Sequence, residues 1–219
     1  MPPGSLSVPA RLFLLAYDTG KDRVSGAPDL PLAIRAAVLL DLAERDLVHD
    51  VDGIVTPVLG ARTGDPVPDR LLELIEESRP RKWRGWITHR ARSTYADVRQ
   101  GLVADGQLRP GRRRVLGLLA TTHYALERAG YVEILRAQVL GAVTGPAAPD
   151  QVPREDATLA VLAAAGHFRA LLSSRDRRHH RARLTALTLH ASPHAPLITQ
   201  ALEKAVKSAE AARSSGAAN

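Results

Sequence analysis

Apolar residues recur every three or four positions along much of this chain. In "DLPLAIRAAVLLDLAERDLVHD", residues Ala33, Ala37, Leu40 and Ala43 form one apolar stripe, which is the spacing of an amphipathic helix. Asp29 precedes the stripe, and an aspartate at that position commonly accepts hydrogen bonds from the first backbone N–H groups of a helix. The pattern therefore predicts a helix here, capped by Asp29.

The same periodicity predicts further helices. Asp65 is a second cap candidate, just before the apolar positions of "GDPVPDRLLELIEES". The segment "RPRKWRGWITHRARSTYADVRQGLVADG" predicts two helices with a break near residues 90–93. Helical spacing also runs through "GYVEILRAQVLGAV", "REDATLAVLAAAGHFRALL" and "PLITQALEKAVKSAEAA". Helices thus account for most of the predicted structure.

Strands are predicted only in short hairpins. "RLFLLAYDTGKDRVSG" predicts a strand, a turn and a short return. "LVHDVDGIVTPV" predicts a hairpin that turns at Asp52-Gly53, and "RPGRRRVLGLLATTHY" a hairpin with its turn at Pro110-Gly111. The expected fold class is mainly α: a single compact helical domain with short β-hairpins. We place this domain at residues 11–212, between a flexible N-terminus (1–10) and a flexible tail (213–219) in which Arg213 should play no part in binding.

Composition narrows the chemistry. The chain has 219 residues and no cysteine, which excludes disulfides, thiol catalysis and cysteine-ligated zinc. No apolar run approaches the roughly 20 residues of a membrane span, so we expect a cytoplasmic protein. The chain contains no GxSxG, P-loop, GxGxxG or HExxH motif. His179 and His180 are adjacent and would point to different helix faces. We therefore predict no enzyme activity, no cofactor and no metal site.

Basic residues are the strongest functional signal. The net charge is +7, and arginine makes up 26 of the 30 basic residues; such a chain favours an anionic partner. The arginines form three clusters, within residues 79–99, 109–114 and 175–183. A solvated charged face would explain any single cluster. In the second cluster, however, arginines adjoin leucines, which suits contact with an anionic membrane. We assign this membrane hairpin to Arg112, Arg113, Arg114, Leu116, Leu118 and Leu119.

An ordered set of segments resembles the Golgi phosphoprotein 3 family, most of all its bacterial, actinomycete-type members. The segments are "LFLLAYDTGKDRVSG", "LPLAIRAAVLLDLAERDLVHDVDG", "TGDPVPDRLLELIEES", "KWRGWI" and "VRQGLVADGQLRPGRRRVLGLLATTHY". The resemblance implies a mostly helical, non-enzymatic domain that binds phosphatidylinositol 4-phosphate. It also implies that the hairpin of residues 107–119 serves membrane contact and self-association.

The resemblance carries some family lipid-site residues onto this chain. The arginine of the family's "LRG" motif falls on Arg35, and one of a later arginine pair falls on Arg92. The second arginine of that pair is replaced by Tyr95, and the family tryptophan by Gly26. Arg90 or Arg99 could compensate for the lost arginine. We therefore predict a headgroup site formed by Arg35, Arg90 and Arg92.

The favoured function is that of a peripheral-membrane protein. Its predicted partner is a membrane surface of anionic phospholipid or phosphoinositide, and a homo-oligomer could form through the 107–119 hairpin. The alternative is a winged-helix-like nucleic-acid-binding protein, because helix, short loop and basic hairpin follow one another twice. Asp41, Glu44 and Asp46 on the first of these helices would repel phosphate, which makes nucleic acid the second choice.

Overall fold

A computed structural model describes residues 6–25, 27–115 and 119–216; for residues 112–115 and 119–121 it describes the backbone alone. Within this part of the chain the helices are α1 (Val8–Leu15), α2 (Leu30–Glu44), α3 (Pro66–Glu77), α4 (Trp83–Thr88), α5 (Ala91–Ala104), α6 (Ala129–Thr144), α7 (Arg154–Ala165), α8 (Ser174–His179), α9 (Arg181–Ala191) and α10 (Ala195–Gly216), with one 3-10 turn at Pro149–Gln151. The strands are β1 (Tyr17–Asp18), β2 (Arg23–Val24), β3 (Val48–Val51), β4 (Ile54–Pro57), β5 (Arg81–Lys82), β6 (Leu108–Val115) and β7 (Leu119–Leu126).

The mainly α fold class is confirmed, and α2 is its central element. Helices α1, α3, α4, α5, α7 and α10 all pack against α2. Residues on every side of α2 are buried, from Leu30 to Ala43, and Ala33, Ile34, Ala36, Leu39 and Leu42 have no exposed surface at all. Because only the last turn of α2 carries exposed charge, its neighbours supply most of the polar surface around it.

The prediction of a strand at the start of the domain is wrong. Residues 8–15 form α1, which follows Ser7 and carries a proline in its first turn. Seven of its eight residues are buried. A short continuous apolar run cannot be assigned to strand or helix by periodicity, because neither period is visible when every side is buried. Only the return after this run, β1 paired with β2, has the extended structure that was expected.

The hairpins are antiparallel, and one turn was predicted correctly. Asp52 and Gly53 join β3 to β4, and β5 adds a third strand to that sheet. The predicted turn at Pro110-Gly111 is wrong: both residues lie inside β6, paired with Tyr124 and His123 of β7. Proline is tolerated in an edge strand, and both strands of a two-stranded sheet are edges. The hairpin is therefore longer than expected, because β6 and β7 are paired as far as Val115 and Leu119.

The break between α4 and α5 follows the sequence, but the end of α7 and one cap do not: α7 ends at Ala165, although the predicted helical spacing continued to Leu172. The predicted break falls between α4 and α5, where Arg90 adopts a left-handed conformation with φ of 51°. The Asp65 side chain accepts a hydrogen bond from the Val67 N–H at 2.9 Å, as predicted. Asp29 does precede α2, yet its side chain makes no capping bond. The predicted capping role of Asp29 is wrong because its carboxylate is bound to Arg213 instead.

The last helix continues further than the domain boundary that the sequence suggested. α10 runs to Gly216, four residues past position 212, and its final turn is attached to the domain by Arg213. At the other end, α1 begins at Val8, three residues before position 11. α1 packs against α2, α5 and α7, and the end of α10 is bonded to Asp29. Local sequence patterns cannot predict such contacts between residues that are distant in sequence.

Two glycines test the packing around α2. A Cβ on Gly166, just after α7, would lie 3.0 Å from Ala33 Cβ, from Leu162 O and from a ring carbon of Phe168. We expect Gly166→Ala to lower the free energy of unfolding by about 1–3 kcal/mol through overpacking. A Cβ on Gly141 in α6 would meet no described atom within 4 Å, so Gly141→Ala should raise stability by up to about 1 kcal/mol. Urea denaturation of both variants provides the comparison, and equal effects would contradict this packing.

Candidate anion-binding site

Arg35 is a buried charge in the middle of α2. Its exposed fraction is 0%, and its Nη2 donates a hydrogen bond to the backbone carbonyl of Arg90 at 2.7 Å. The Nε and Nη1 atoms are also buried and find no hydrogen-bond partner among the described residues. Burial lowers the pKa of Arg35 to about 10, while the carboxylate of Asp97 acts in the opposite direction. The group therefore stays charged at neutral pH.

The turn at Arg90 connects this buried charge to the surface. The Arg90 carbonyl accepts three hydrogen bonds: from Arg35, from the Ser93 N–H at 2.9 Å and from the Ser93 hydroxyl at 2.8 Å. The side chain of Arg90 itself is exposed. Helix α5 begins directly after it with neither a side-chain cap nor an acidic residue in its first turn. Its first backbone N–H groups therefore present partial positive charge at this point.

A depression of about 400 Å³ lies beside this turn. It is bounded by the start of α2, by the α4–α5 turn and by the end of α10. Arg90, Arg92 and Arg213 supply three cations to its lining, and Asp29 supplies the one carboxylate. Arg35 is not among the lining residues, because it lies beneath the Arg90 turn. The structure thus brings Arg90 and Arg92 together as predicted, with Arg35 behind them.

Asp29 and Arg213 are the residues of this depression that the sequence analysis missed. Arg213 Nη1 donates to Asp29 Oδ1 and Nη2 to Asp29 Oδ2, both at 2.7 Å. The Asp29 side chain is 4% exposed, and the Arg213 side chain 46%. Arg213 was expected in a flexible tail, but it lies in the last turn of α10 and is paired with Asp29. The two residues are 184 positions apart, and no local pattern pairs them.

Tyr95 and Arg99 belong to a different part of the surface. The half-buried Tyr95 ring stacks on Phe13 with centroids 5.3 Å apart, and burial raises the pKa of Tyr95. The Arg99 guanidinium lies 4.4 Å from the centroid of the Tyr124 ring on β7. Two arginines could compensate for the family arginine that Tyr95 replaces. Of these, Arg90 shares the depression with Arg92, whereas Arg99 contacts the hairpin. Gly26 lies outside the described residues.

The hairpin is held to the domain at its base. The Tyr17 hydroxyl donates to the Tyr124 carbonyl at 2.9 Å, and His123 Nε2 lies 2.7 Å from the Asp22 carboxylate. Arg112, Arg113 and Arg114 occupy the last part of β6 before Val115, which pairs with Leu119. The side chains of these arginines and of Leu119 lie outside the described residues, as do Leu116 and Leu118 entirely. Their assignment to a membrane surface stays a prediction.

Two arginines of the third basic cluster are bonded to backbone carbonyls. In the third basic cluster, Arg177 donates to the Leu172 carbonyl at 2.8 Å and Arg183 to the Ala142 carbonyl at 2.7 Å. Across the described ranges, no group of three or more His, Asp or Glu side chains could hold a metal ion. Of the helices described, none is both long and apolar enough to cross a bilayer.

A known protein family matches most of the chain. The family model of Golgi phosphoprotein 3 (GPP34) matches residues 8–209 of this chain. The matched range runs from the start of α1 to the fifteenth residue of α10, so it takes in Asp29, Arg35, Arg90 and Arg92. No curated protein matches the chain.

Arg35 should contribute little to stability despite its complete burial. Its single bond goes to a carbonyl that keeps two other donors, while two of its nitrogens stay unsatisfied among the described residues. We expect Arg35→Met to leave the free energy of unfolding unchanged or to raise it by about 1 kcal/mol. The matched control is Arg11→Met. Arg11 bonds Glu155 at 2.6 Å and Asp156 at 3.3 Å, and its loss should cost about 1–3 kcal/mol after allowance for the exposure of Glu155.

Thermal and urea unfolding of the two variants measure this difference. A loss of more than about 2 kcal/mol in Arg35→Met would show that the bond to the Arg90 carbonyl is a structural requirement. A stable Arg35→Met protein would instead indicate that the buried charge is retained for binding.

Proposed function

The chain belongs to the Golgi phosphoprotein 3 family, and from this premise we propose that it is a peripheral-membrane protein that binds an anionic phosphoinositide-type headgroup. The proposed ligand resembles the headgroup of phosphatidylinositol 4-phosphate. Its site is the depression beside the Arg90 turn, and the chain acts there as a binding protein and not as an enzyme. The membrane is the anionic surface facing the cytoplasm.

The observation that carries this proposal is the buried, incompletely satisfied guanidinium of Arg35. A buried charge without a full set of partners is costly and is retained mainly where function requires it. Arg35 lies directly behind the turn that exposes Arg90 and Arg92. An anionic group seated at this turn would attract the buried charge as well as the two exposed ones. The cost of burying Arg35 would then be offset when the ligand binds.

The charges around the depression support an anion over a neutral ligand. Most acidic side chains near arginines already form ion pairs elsewhere, as in the Arg70–Asp97 and Arg45–Asp41 pairs. Arg90 and Arg92 form no ion pair with any carboxylate in the described ranges. Planar guanidinium groups match phosphate oxygens in bidentate fashion. A phosphomonoester, which carries about −1.5 to −2 charges near neutral pH, is therefore the kind of group that we expect at this turn.

The β6–β7 hairpin supplies a second contact with the bilayer in this proposal. Arg112, Arg113 and Arg114 would lie at the headgroups, each worth about 1 kcal/mol near an anionic surface. Leu116, Leu118 and Leu119 would reach the acyl boundary, where each buried CH₂ adds roughly 0.8 kcal/mol. Such a contact is reversible, as a peripheral protein requires. Self-association through residues 107–119 belongs to the same proposal.

The nucleic-acid alternative has no comparable support. A winged-helix protein places an exposed helix in the major groove. The helix that this alternative would use first, α2, is buried from Leu30 to Ala43 and cannot enter a groove. The second such unit, α5 with the β6–β7 hairpin, keeps an exposed start at Arg92. Free duplex DNA is therefore the competitor that distinguishes nucleic-acid binding from membrane binding.

Replacement of Arg92 by lysine tests the headgroup site. Lysine keeps the charge but cannot form the bidentate contact, so Arg92→Lys should weaken binding of soluble inositol 1,4-bisphosphate several-fold, on the order of 1 kcal/mol. Arg79→Lys is the matched control, because Arg79 is exposed and lies away from the depression. Isothermal calorimetry gives the affinities. Absence of binding by the parent protein would overturn the headgroup site, and equal binding by all three proteins would leave only a diffuse basic surface.

The hairpin is tested separately from the headgroup site. Replacement of Arg112, Arg113 and Arg114 by glutamate should weaken sedimentation with vesicles that contain anionic lipid, because favourable charges become repulsive. The same variant should bind soluble inositol 1,4-bisphosphate as the parent does. Binding of the parent to vesicles should also fall as salt rises. Undiminished sedimentation of the triple variant, or displacement of the parent by free duplex DNA, would contradict the assignment of this hairpin to the membrane.

A further inference from the structure

Asp29 occupies the N-cap position of α2 but uses its carboxylate for a different purpose. No backbone N–H of α2 is bonded to this side chain. Both of its oxygens instead accept from Arg213, at 2.7 Å each. The carboxylate is almost fully buried, with 4% of the side chain exposed. Asp29 therefore acts as a fixed anchor for a guanidinium that comes from the other end of the chain.

The Asp29 carboxylate orients Arg213 but does not occupy all of its N–H donors. A guanidinium group carries N–H donors along more than one edge. The bond to Asp29 takes the edge between Nη1 and Nη2, and the Nε edge has no hydrogen-bond partner among the described residues. The Arg213 side chain is 46% exposed, and it lines the same depression as Arg90 and Arg92. A third arginine fork is thus held, with donors available, at the edge of the candidate site.

Net charge alone gives this ion pair no role in binding an anion. The formal charge of Asp29 cancels that of Arg213, so together they add nothing to the attraction between the depression and a phosphate. Any contribution of the pair must come from the position of the Arg213 donors. A site with positioned donors can therefore be distinguished from a diffuse basic surface. When Asp29 loses its charge, the positioned site should bind the anion more weakly and the diffuse surface should bind it more tightly.

We propose that Arg213 is a headgroup-binding residue of this depression and that Asp29 is the residue that positions it. The inference rests on the proposed function, since it assigns two more residues to the same site. The ligand class is the same phosphomonoester on a polyol, with Arg90 and Arg92 on one side of the group and Arg213 on the other. Occupancy then links the last turn of α10 to the start of α2 and of α5.

Two substitutions and their combination test this inference with soluble inositol 1,4-bisphosphate and the full chain. Arg213→Lys keeps the charge and loses the fork. Asp29→Asn makes the depression more positive and releases Arg213. We expect each variant to bind about 3- to 10-fold more weakly than the parent, the range for the net loss of one hydrogen bond. Arg79→Lys should bind as the parent does.

The combined variant separates positioning from a general effect on folding. If Asp29 acts through Arg213, Asp29→Asn should have no further effect on affinity once Arg213 is lysine, whereas independent effects would multiply. Thermal unfolding of each variant in the absence of ligand shows whether the fold is retained. Unchanged affinity in Arg213→Lys, or tighter binding in Asp29→Asn, would overturn the inference while leaving the headgroup site intact. If Arg92→Lys weakens binding but Arg213→Lys and Asp29→Asn do not, the inference is likewise overturned. If the parent protein does not bind the headgroup, both proposals are overturned.

Discussion

The guanidinium group of Arg35 is the constraint on which the candidate site depends. α2 is covered on every side, so a charged residue in its middle has no direct access to water. The only described partner of Arg35 is the carbonyl of Arg90, which fixes the turn between α4 and α5 over α2. The exposed arginines at that turn are therefore placed by a buried one. An apolar residue at position 35 would pack as well, but it would leave the turn without this attachment.

The central helix also determines what its neighbours must do. Small residues on α2 let α7 approach so closely that Gly166 has no room for a Cβ beside Ala33. Because α2 is buried over most of its length, the surrounding helices carry most of the charged residues, and some of these form pairs such as Arg11 with Glu155 and Asp156. The start of α5 differs from these surfaces. It gathers arginines around a helix N-terminus without a side-chain cap, and the Asp29 carboxylate in the same depression is already bonded to Arg213.

The sequence predicted those features that depend on local spacing. Helices α3 and α6 have one apolar face, so their periodicity identified them, and Val132, Leu135, Val139 and Val143 are buried as that periodicity requires. α1 was misassigned because it is buried all round, and the turn of the β6–β7 hairpin because a proline can also lie in an edge strand. The partnership of Asp29 with Arg213 had no local signal, since it depends on where α10 ends in space. Arg35 and Arg92 were assigned to the candidate site by resemblance to a family, and Arg90 by its proximity in sequence to Arg92; these assignments stay predictions.

Helix α5 connects the two surfaces that the proposed function assigns to the membrane. Its first turn follows Arg90 at the depression, and Arg99, two turns later, stacks on Tyr124 at the base of the hairpin. Tyr124 is in turn bonded to the Tyr17 hydroxyl of β1, so a shift of the hairpin base would disturb its contacts with α5 and β1. Two weak contacts held on one rigid element bind a common surface more tightly than either alone, because the second becomes intramolecular once the first has formed. In this arrangement neither contact needs high affinity, and loss of either would release the protein from the bilayer.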